Sequence, residues 1–386
     1  MKSNQFRSNA EPPDHRQIAT PHSDSHQAEP LVNAAEPLVN EDITGTSVND
    51  ISGFDLVNEK LDRRSHVADL VQTIKETADK LATEGTTRGD IKILSRTLRE
   101  LRYAFKVFSP YRRKRKVTVF GSARTQPDEP AYIQAVELGR VMAEAGWLVV
   151  TGAASGIMEA GHRGAGRESS MGLNIMLPFE QSANPVIAGD PKLVHMKYFF
   201  TRKLMFVKEC DAVVCSPGGF GTLDEAMEVI TLLQTGKRDM IPVVLLDPPG
   251  TGYWQGLLDF VNNHLLRSRM ISPEDLHLFK LTNSHAEARD EILQFFRVYH
   301  SMRYVKQDLV FRLQEPLHPL LLEAINSEFV DLLIGGTFQQ REALPLERDE
   351  EDLAHFPRLV FHFNRRSLGR LRLLIDAINR GSVETA

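Results

Sequence analysis

Between residues 117 and 298 the chain alternates short apolar runs, most of them rich in β-branched residues, with longer stretches of helical periodicity. Few architectures accept that alternation. The runs fall at 117–121, 147–151, 171–177, 193–196, 212–216, 241–246 and 278–282, with helical patterns between them at 130–145, 156–167, 200–209, 222–235, 254–267 and 284–297. Strands separated by crossover helices pair in parallel. The order therefore predicts an α/β fold, a Rossmann-like doubly wound parallel sheet whose ligand site lies at the carboxyl edge of the strands.

The flanking segments read differently. Residues 1–60 are rich in Pro, Asn, Ser, Asp and Glu with little periodicity, the composition of a disordered tail that is expected to be dispensable. Within it Ala28-Glu-Pro-Leu-Val-Asn33 recurs as Ala35-Glu-Pro-Leu-Val-Asn40, too short a duplication for a solenoid and read as drift in a tail. Residues 61–110 predict a helical extension of two helices, broken near Gly85-Thr-Thr-Arg-Gly89 and packed on the next domain. The α/β domain is expected to span 111–299 and opens on the basic run Arg112-Arg-Lys-Arg-Lys116, read as a solvated linker. Residues 300–386 predict a small α+β unit, with strands at 309–313 and 359–363 and helices at 316–325 and 367–379. Its cluster Arg365, Arg366, Arg370 and Arg372 reads as a solvated face or a docking surface.

Composition removes several function classes. With 42% hydrophobic and 25% charged residues and a net charge of −5, the chain is ordinary globular material with no general attraction for nucleic acid. No apolar run approaches the roughly 20 residues that span a bilayer, and the first residues carry no apolar signal core. A cytoplasmic protein without a membrane partner is expected. Cys210 and Cys215 flank a predicted buried strand and are expected to be core thiols.

Pro217-Gly-Gly-Phe-Gly-Thr-Leu-Asp-Glu225 carries the most chemistry, because it follows an apolar run and leads into a helical pattern. Such a turn aims backbone N–H groups at an anion, and a phosphate is the expected ligand. Glycines at Gly218, Gly219 and Gly221 allow close backbone approach and positive φ, and Thr222 adds a hydroxyl. Glu225 would be repelled by a phosphate unless it faces another part of the same molecule. A second reading makes Thr222 and Glu225 a capping box.

Three more loops fall on the same predicted edge: Gly121, Ser122 and Arg124 after the first strand, Gly152 to Glu159 after the second, and the segment from Tyr198 to Lys203. Each has a plain structural alternative. Gly152 and Gly156 can simply end a strand and start a helix, Glu159 can favour a helix dipole, and Arg202 and Lys203 can be an exposed pair.

Together these residues resemble the LOG (Lonely Guy) family, also described as possible lysine decarboxylases. The matching stretches are Phe120-Gly-Ser-Ala-Arg124, Gly156-Ile-Met-Glu-Ala160, Gly172-Leu-Asn-Ile-Met-Leu-Pro-Phe-Glu-Gln181, Tyr198-Phe-Phe-Thr-Arg-Lys203 and Pro217 to Glu225. The resemblance implies a nucleoside 5′-monophosphate phosphoribohydrolase that releases free base and ribose 5-phosphate without a cofactor or metal. It implies Arg202 and Glu225 as catalytic residues. It also places Gly121, Ser122, Arg124, Gly152, Gly156, Glu159, Lys203, Gly218, Gly219, Gly221 and Thr222 around the nucleotide, and suggests a homodimer or higher homo-oligomer, for which Met227, Ile230 and Leu233 offer an apolar face. The family's glycine run after the second strand is here Gly152-Ala-Ala-Ser155, whose added methyls are expected to narrow the loop.

The chemistry fits the residues independently. Cleavage of an N-glycosidic bond passes through an oxocarbenium-like sugar, which a carboxylate can stabilise or supply with activated water. Arg202 is expected to hold sugar or base and to keep Glu225 ionised. A dinucleotide oxidoreductase lacks its G-x-G-x-x-G here, a P-loop enzyme lacks G-x-x-x-x-G-K-[ST], and a pyridoxal-dependent decarboxylase lacks a recognisable lysine. The rival is a non-catalytic nucleotide-binding or sensing protein that uses the same phosphate pocket.

Overall fold

The computed structural model describes residues 63–176, 182–347 and 351–381. The tail call on residues 1–60, including the repeated hexapeptide, lies outside the described residues, as do Leu177 to Gln181 of one matching stretch. Seven parallel strands form the central sheet: β1 (Lys116–Phe120), β2 (Leu148–Thr151), β3 (Ser170–Ile175), β4 (Leu193–Met196), β5 (Ala212–Cys215), β6 (Val243–Leu246) and β7 (Lys280–Thr282). Their order is β4-β3-β2-β1-β5-β6-β7. The chain winds outward from β1 to β4, then returns to pair β5 with the other side of β1, in register from Val117 with Ala212 to Phe120 with Cys215. The switch point thus lies between β1 and β5, where loops diverge and leave a crevice.

Burial explains the apolar runs. The strands β1, β2, β3, β5 and β6 are buried at every position, as a sheet covered on both faces requires. On one face lie α3 (Pro130–Glu144), α4 (Ile157–Ala165) and α8 (His285–Phe295); on the other lie α5 (Phe199–Glu209) and α6 (Phe220–Gln234). The crossover from β6 to β7 contains α7 (Tyr253–Phe260). Both cysteines are buried and free.

Two helices precede the sheet, α1 (Arg63–Thr83) and α2 (Arg88–Phe108). The break between them is followed by a capping box in which Thr87 and Asp90 satisfy each other's backbone N–H groups. Only α2 packs firmly against the domain, through buried Ala104 and Phe108. No helix among the described residues is long and apolar enough to cross a membrane.

The C-terminal sheet is antiparallel, in order β10-β11-β9-β8, from β8 (Tyr299–Val305), β9 (Asp308–Leu313), β10 (Leu333–Arg341) and β11 (Arg358–Phe363). It packs with α9 (Pro319–Glu328) and α10 (Leu368–Arg380). Sequence periodicity misses both edge strands. In β8 burial falls at every third residue, with an irregularity between Tyr299 and Ser301, and β10 is interrupted by Gly335 and Gly336 with two register shifts.

Two charge clusters are solvated only in part: Arg112, Arg113, Lys114, Arg365 and Arg366 are exposed, while their neighbours are not. Arg372 is buried, pairs with Glu291 and with Asp376 at 2.9 Å, and stacks over Phe295. Arg370 pairs with Glu328 and Asp331, and Arg365 lies over Tyr304. In the basic run, Lys116 is buried in β1, while Arg115 bonds Asp211 at 2.7 Å and stacks on Phe296. Local charge density misses the paired members, because their neutralising acids, Asp376 apart, come from distant parts of the chain.

Candidate active site

Three loops meet at the switch point and hold one another. The Ser122 N–H donates to Pro217 O at 3.0 Å, and the Ile157 N–H donates to Ser122 O at 3.0 Å, tying the loops after β1, β5 and β2 together. The glycines at these crossings leave no room for a side chain. A Cβ on Gly121 would sit 2.5 Å from Ile157, one on Gly156 2.3 Å from Ser122 O, and one on Gly218 2.1 Å from Thr222 Oγ1. Gly156 also has a φ of +64, the left-handed region that glycine accepts at no steric cost.

The Pro217–Glu225 turn departs from expectation in two ways. Gly218, Gly219 and Gly221 do not have positive φ, and a Cβ on Gly219 or Gly221 would project into open space. Their service is an uncovered approach to the start of α6, where the N–H groups ahead of the first intrahelical bonds point outward; the Thr222 and Leu223 N–H groups already donate to Gly219 O at 3.0 and 3.2 Å. The N-cap is Gly219, with no side-chain bond. Thr222 and Glu225 are therefore the third and sixth residues of α6 and form no capping box. Tyr253, which the sequence gives no reason to single out, donates its hydroxyl to Gly218 O at 2.7 Å and braces the turn.

Glu225 is 4% exposed, and its Oε2 is buried without a hydrogen-bond partner among the described residues. Burial pushes the carboxyl up to about 7, against the opposing charges of Lys203 and Arg202. The expectation that Arg202 keeps this group ionised is thus corrected, because desolvation outweighs the nearby cations. Lys203 reaches Glu225 at 3.9 Å but also bonds Asp224 at 2.9 Å and Glu228, so most of its charge is engaged along α6.

Arg202 is half-buried, with Phe199 and Phe206 at 5.4 and 5.5 Å from its guanidinium carbon and its Nη1 3.5 Å from where a Gly152 Cβ would be. Its Nε is buried with no hydrogen-bond partner among the described residues. Packing, rather than an ion pair at contact distance, sets its position. The helix that carries it is fixed by α2, whose buried Glu100 accepts from the Lys197 N–H at 3.0 Å and the Thr201 hydroxyl at 2.9 Å. Burial lowers the Arg202 pKa from its ordinary range, with Glu225 acting against the shift.

The other predicted residues take varied places. Arg124 is exposed on the β1 loop, where its N–H bonds Ser122 Oγ at 3.1 Å. Glu159 lies in the first turn of α4 and its carboxylate is held by Arg163 at 2.8 Å. Ala153 carries φ 60, and its methyl packs with Ile187 and Leu193 beneath the loop, so it does not narrow the site as expected. Of the suggested apolar face, Leu233 is buried in the core and Ile230 is half-buried. The exposed large apolar residues of α6 are Phe220, 93% accessible, and Met227, with half-buried Leu223 between them.

The fold and this edge define a class: a doubly wound α/β protein with a glycine turn at the switch point and, beside an arginine, a buried carboxylate with one oxygen lacking a hydrogen-bond partner among the described residues. The family described as possible lysine decarboxylase matches residues 151–292. Two probable cytokinin riboside 5′-monophosphate phosphoribohydrolases of Oryza sativa subsp. japonica are each 30% identical to the chain. One aligns over 185 residues, 47% of this chain and 71% of the relative; the other over 188 residues, 47% and 74%. A cytokinin riboside 5′-monophosphate phosphoribohydrolase of Arabidopsis thaliana is 31% identical over 164 residues, 41% of this chain and 73% of the relative. The chain belongs to the LOG family. Among solved structures, a molybdenum cofactor carrier protein of Chlamydomonas reinhardtii aligns with a TM-score of 0.34 and 21% identity, covering 47% of this chain and 98% of that one.

Proposed function

We propose that the protein hydrolyses the N-glycosidic bond of nucleoside 5′-monophosphates, releasing free base and ribose 5-phosphate. The observation that carries this reading is Glu225: a buried carboxylate titrating at about 7, one helical turn from an uncovered glycine turn and beside a guanidinium. In this assignment the first turn of α6 and the backbone from Gly218 to Thr222 hold the 5′-phosphate. Gly121, Ser122 and Arg124 border it from the β1 loop, and Gly152 and Gly156 form the opposite wall. Arg202 grips sugar or base. Ionised Glu225 faces the cationic sugar as the bond to the base breaks and takes a proton from the water whose oxygen bonds the anomeric carbon, and that proton passes on to the leaving base. Lys203 and Glu159 are assigned to the border of the site.

The alternative is a non-catalytic sensing protein, suggested by the Ala153-Ala154 departure and the long flanking segments. The Ala153 methyl points into the core, so it supplies no steric reason for lost turnover. We also propose a homodimer in which a second copy covers Phe220, Leu223 and Met227, and a cytoplasmic location. Incubating the protein with several nucleoside 5′-monophosphates and separating the products by chromatography tests the activity. Release of base is expected; binding without release would leave the sensing reading in its place.

A further inference from the structure

The loop after β2 contains an alanine in the left-handed region, and a buried polar network holds it there. Thr151, His162 and Asn184 are 0%, 0% and 4% exposed. The His162 Nε2 lies 2.9 Å from Met171 O, which can only accept, so this nitrogen carries the proton. Its Nδ1 is then bare and accepts from Asn184 Nδ2 at 3.2 Å. The same amide nitrogen donates to Ala154 O at 3.1 Å, which fixes the orientation of the amide. Asn184 also donates its backbone N–H to Ala153 O at 2.8 Å. From the other side, Thr151 Oγ1 accepts from the Ala153 N–H at 3.0 Å and sits 3.1 Å from His162 Nε2.

Three bonds thus hold three consecutive peptide units, the first two of which flank Ala153, whose φ an L-residue rarely adopts. Burial lowers the His162 pKa to about 4, so the ring stays neutral and its acceptor remains available at ordinary pH. The loop end so held is Gly152, which faces the Arg202 guanidinium and the Met158 sulfur. Arg202 Nε has no bond of its own among the described residues, so the guanidinium is bounded by packing alone: the rings of Phe199 and Phe206 and, on this side, the Gly152 wall.

We infer that Asn184 is a positioning residue of the active site: with His162 and Thr151 it fixes the Gly152–Ser155 loop and, through Gly152, sets the Arg202 guanidinium against the substrate. This inference rests on the reading that Arg202 grips a nucleotide. It separates from a purely structural role because a destabilised but correctly shaped site loses active molecules without changing affinity for substrate.

The test is a double-mutant cycle on the full chain, well below its melting temperature. Asn184→Ala removes the bonds to Ala154 O and His162, and is expected to raise KM for a nucleoside 5′-monophosphate by about five- to tenfold, the value of one or two hydrogen bonds. Thr151→Val, which keeps shape but releases the Ala153 N–H, is expected to give the same signature. In an Arg202→Ala background Asn184→Ala should change KM less than about twofold, because the residue through which it acts is gone. Unchanged KM in Asn184→Ala alongside a lowered melting temperature, or full additivity with Arg202→Ala, would overturn the proposal and leave the activity standing. A wild type that neither releases base from nor binds any nucleoside monophosphate sinks the functional reading and this inference together.

Discussion

Replacing Glu225 by Gln should make the protein more stable and less active, with both effects set by the same carboxyl group. Its ordinary pKa of 4.5 rises to about 7 in the fold. Because the folded value is raised, the stability this group contributes is fully present below pH 4.5 and is lost as pH rises through about 7. A displacement of this size corresponds to about 3 kcal/mol at pH 8 and about 1.4 kcal/mol at pH 5.5. Glutamine reproduces the neutral form at every pH. The variant's stability advantage should therefore grow by about 2 kcal/mol between pH 5.5 and 8, a rise of a few degrees in melting temperature for a chain of this length. Turnover should fall by about 10²-fold or more, a loss of roughly 2.7 kcal/mol of transition-state stabilisation. In the wild type, kcat/KM should climb with pH and reach half its plateau near 7, because only the ionised form acts as base. Thermal melts at the two pH values and chromatographic assay of released base check both halves. A stability gap that does not change with pH, or near-wild-type turnover by the variant, would refute the assignment.

The glycine turn offers a matched pair: Gly218→Ala forces a Cβ to 2.1 Å from Thr222 Oγ1 and should lower kcat/KM at least about tenfold, whereas Gly221→Ala meets open space and should leave the melting temperature unchanged while still weakening nucleotide binding. If the turn holds the phosphate, nucleosides without it should be poor substrates, and equal specificity constants for a nucleoside and its 5′-monophosphate would remove that role. In the C-terminal sheet, Glu347 is buried between Arg312 and Arg358 at 3.1 and 3.0 Å, so Glu347→Leu should cost about 3–5 kcal/mol in chemical denaturation and leave KM unchanged. Light scattering should give at least twice the 43.5 kDa chain mass, and Phe220→Glu should shift it toward the monomer; an active wild-type monomer at micromolar concentration would refute the dimer.

The parallel sheet was legible because its strands are buried on both faces and so appear as unbroken apolar runs, while its crossovers carry a helical period. The antiparallel edge strands β8 and β10 lack either signal, since half-exposed, irregular strands alternate poorly. Within the site, the glycine turn stood out because each glycine breaks helical or strand propensity. Tyr253 and Asn184 did not. They act through one hydroxyl and one amide on backbone atoms distant in sequence, and such contacts leave no local pattern. The capping reading of Thr222 and Glu225 was a fair inference from spacing, but Gly219 takes the cap and moves Glu225 into the second turn, facing inward.

Groups held against their own preferences collect along one edge of the sheet. Ala153 occupies a left-handed backbone, Glu225 is desolvated, Arg202 Nε and Asn184 Oδ1 lack partners among the described residues, and Lys203 is shared among three acids instead of neutralising one. Any of these could be relieved by a common substitution: glycine at 153, glutamine at 225, a carboxylate in contact with Arg202. A catalytic edge needs them unrelieved. A carboxylate fully paired with arginine would titrate near 3 and be a weak base at neutral pH, and an arginine fully paired with that carboxylate would have little left for a substrate. Holding the two groups near each other but out of contact requires rigid walls. The glycine crossings at 121, 156 and 218 and the network around Asn184 supply them, so in the proposed site much of the sequence's apparent oddity at this edge is scaffolding for one desolvated carboxylate and one guanidinium of fixed position.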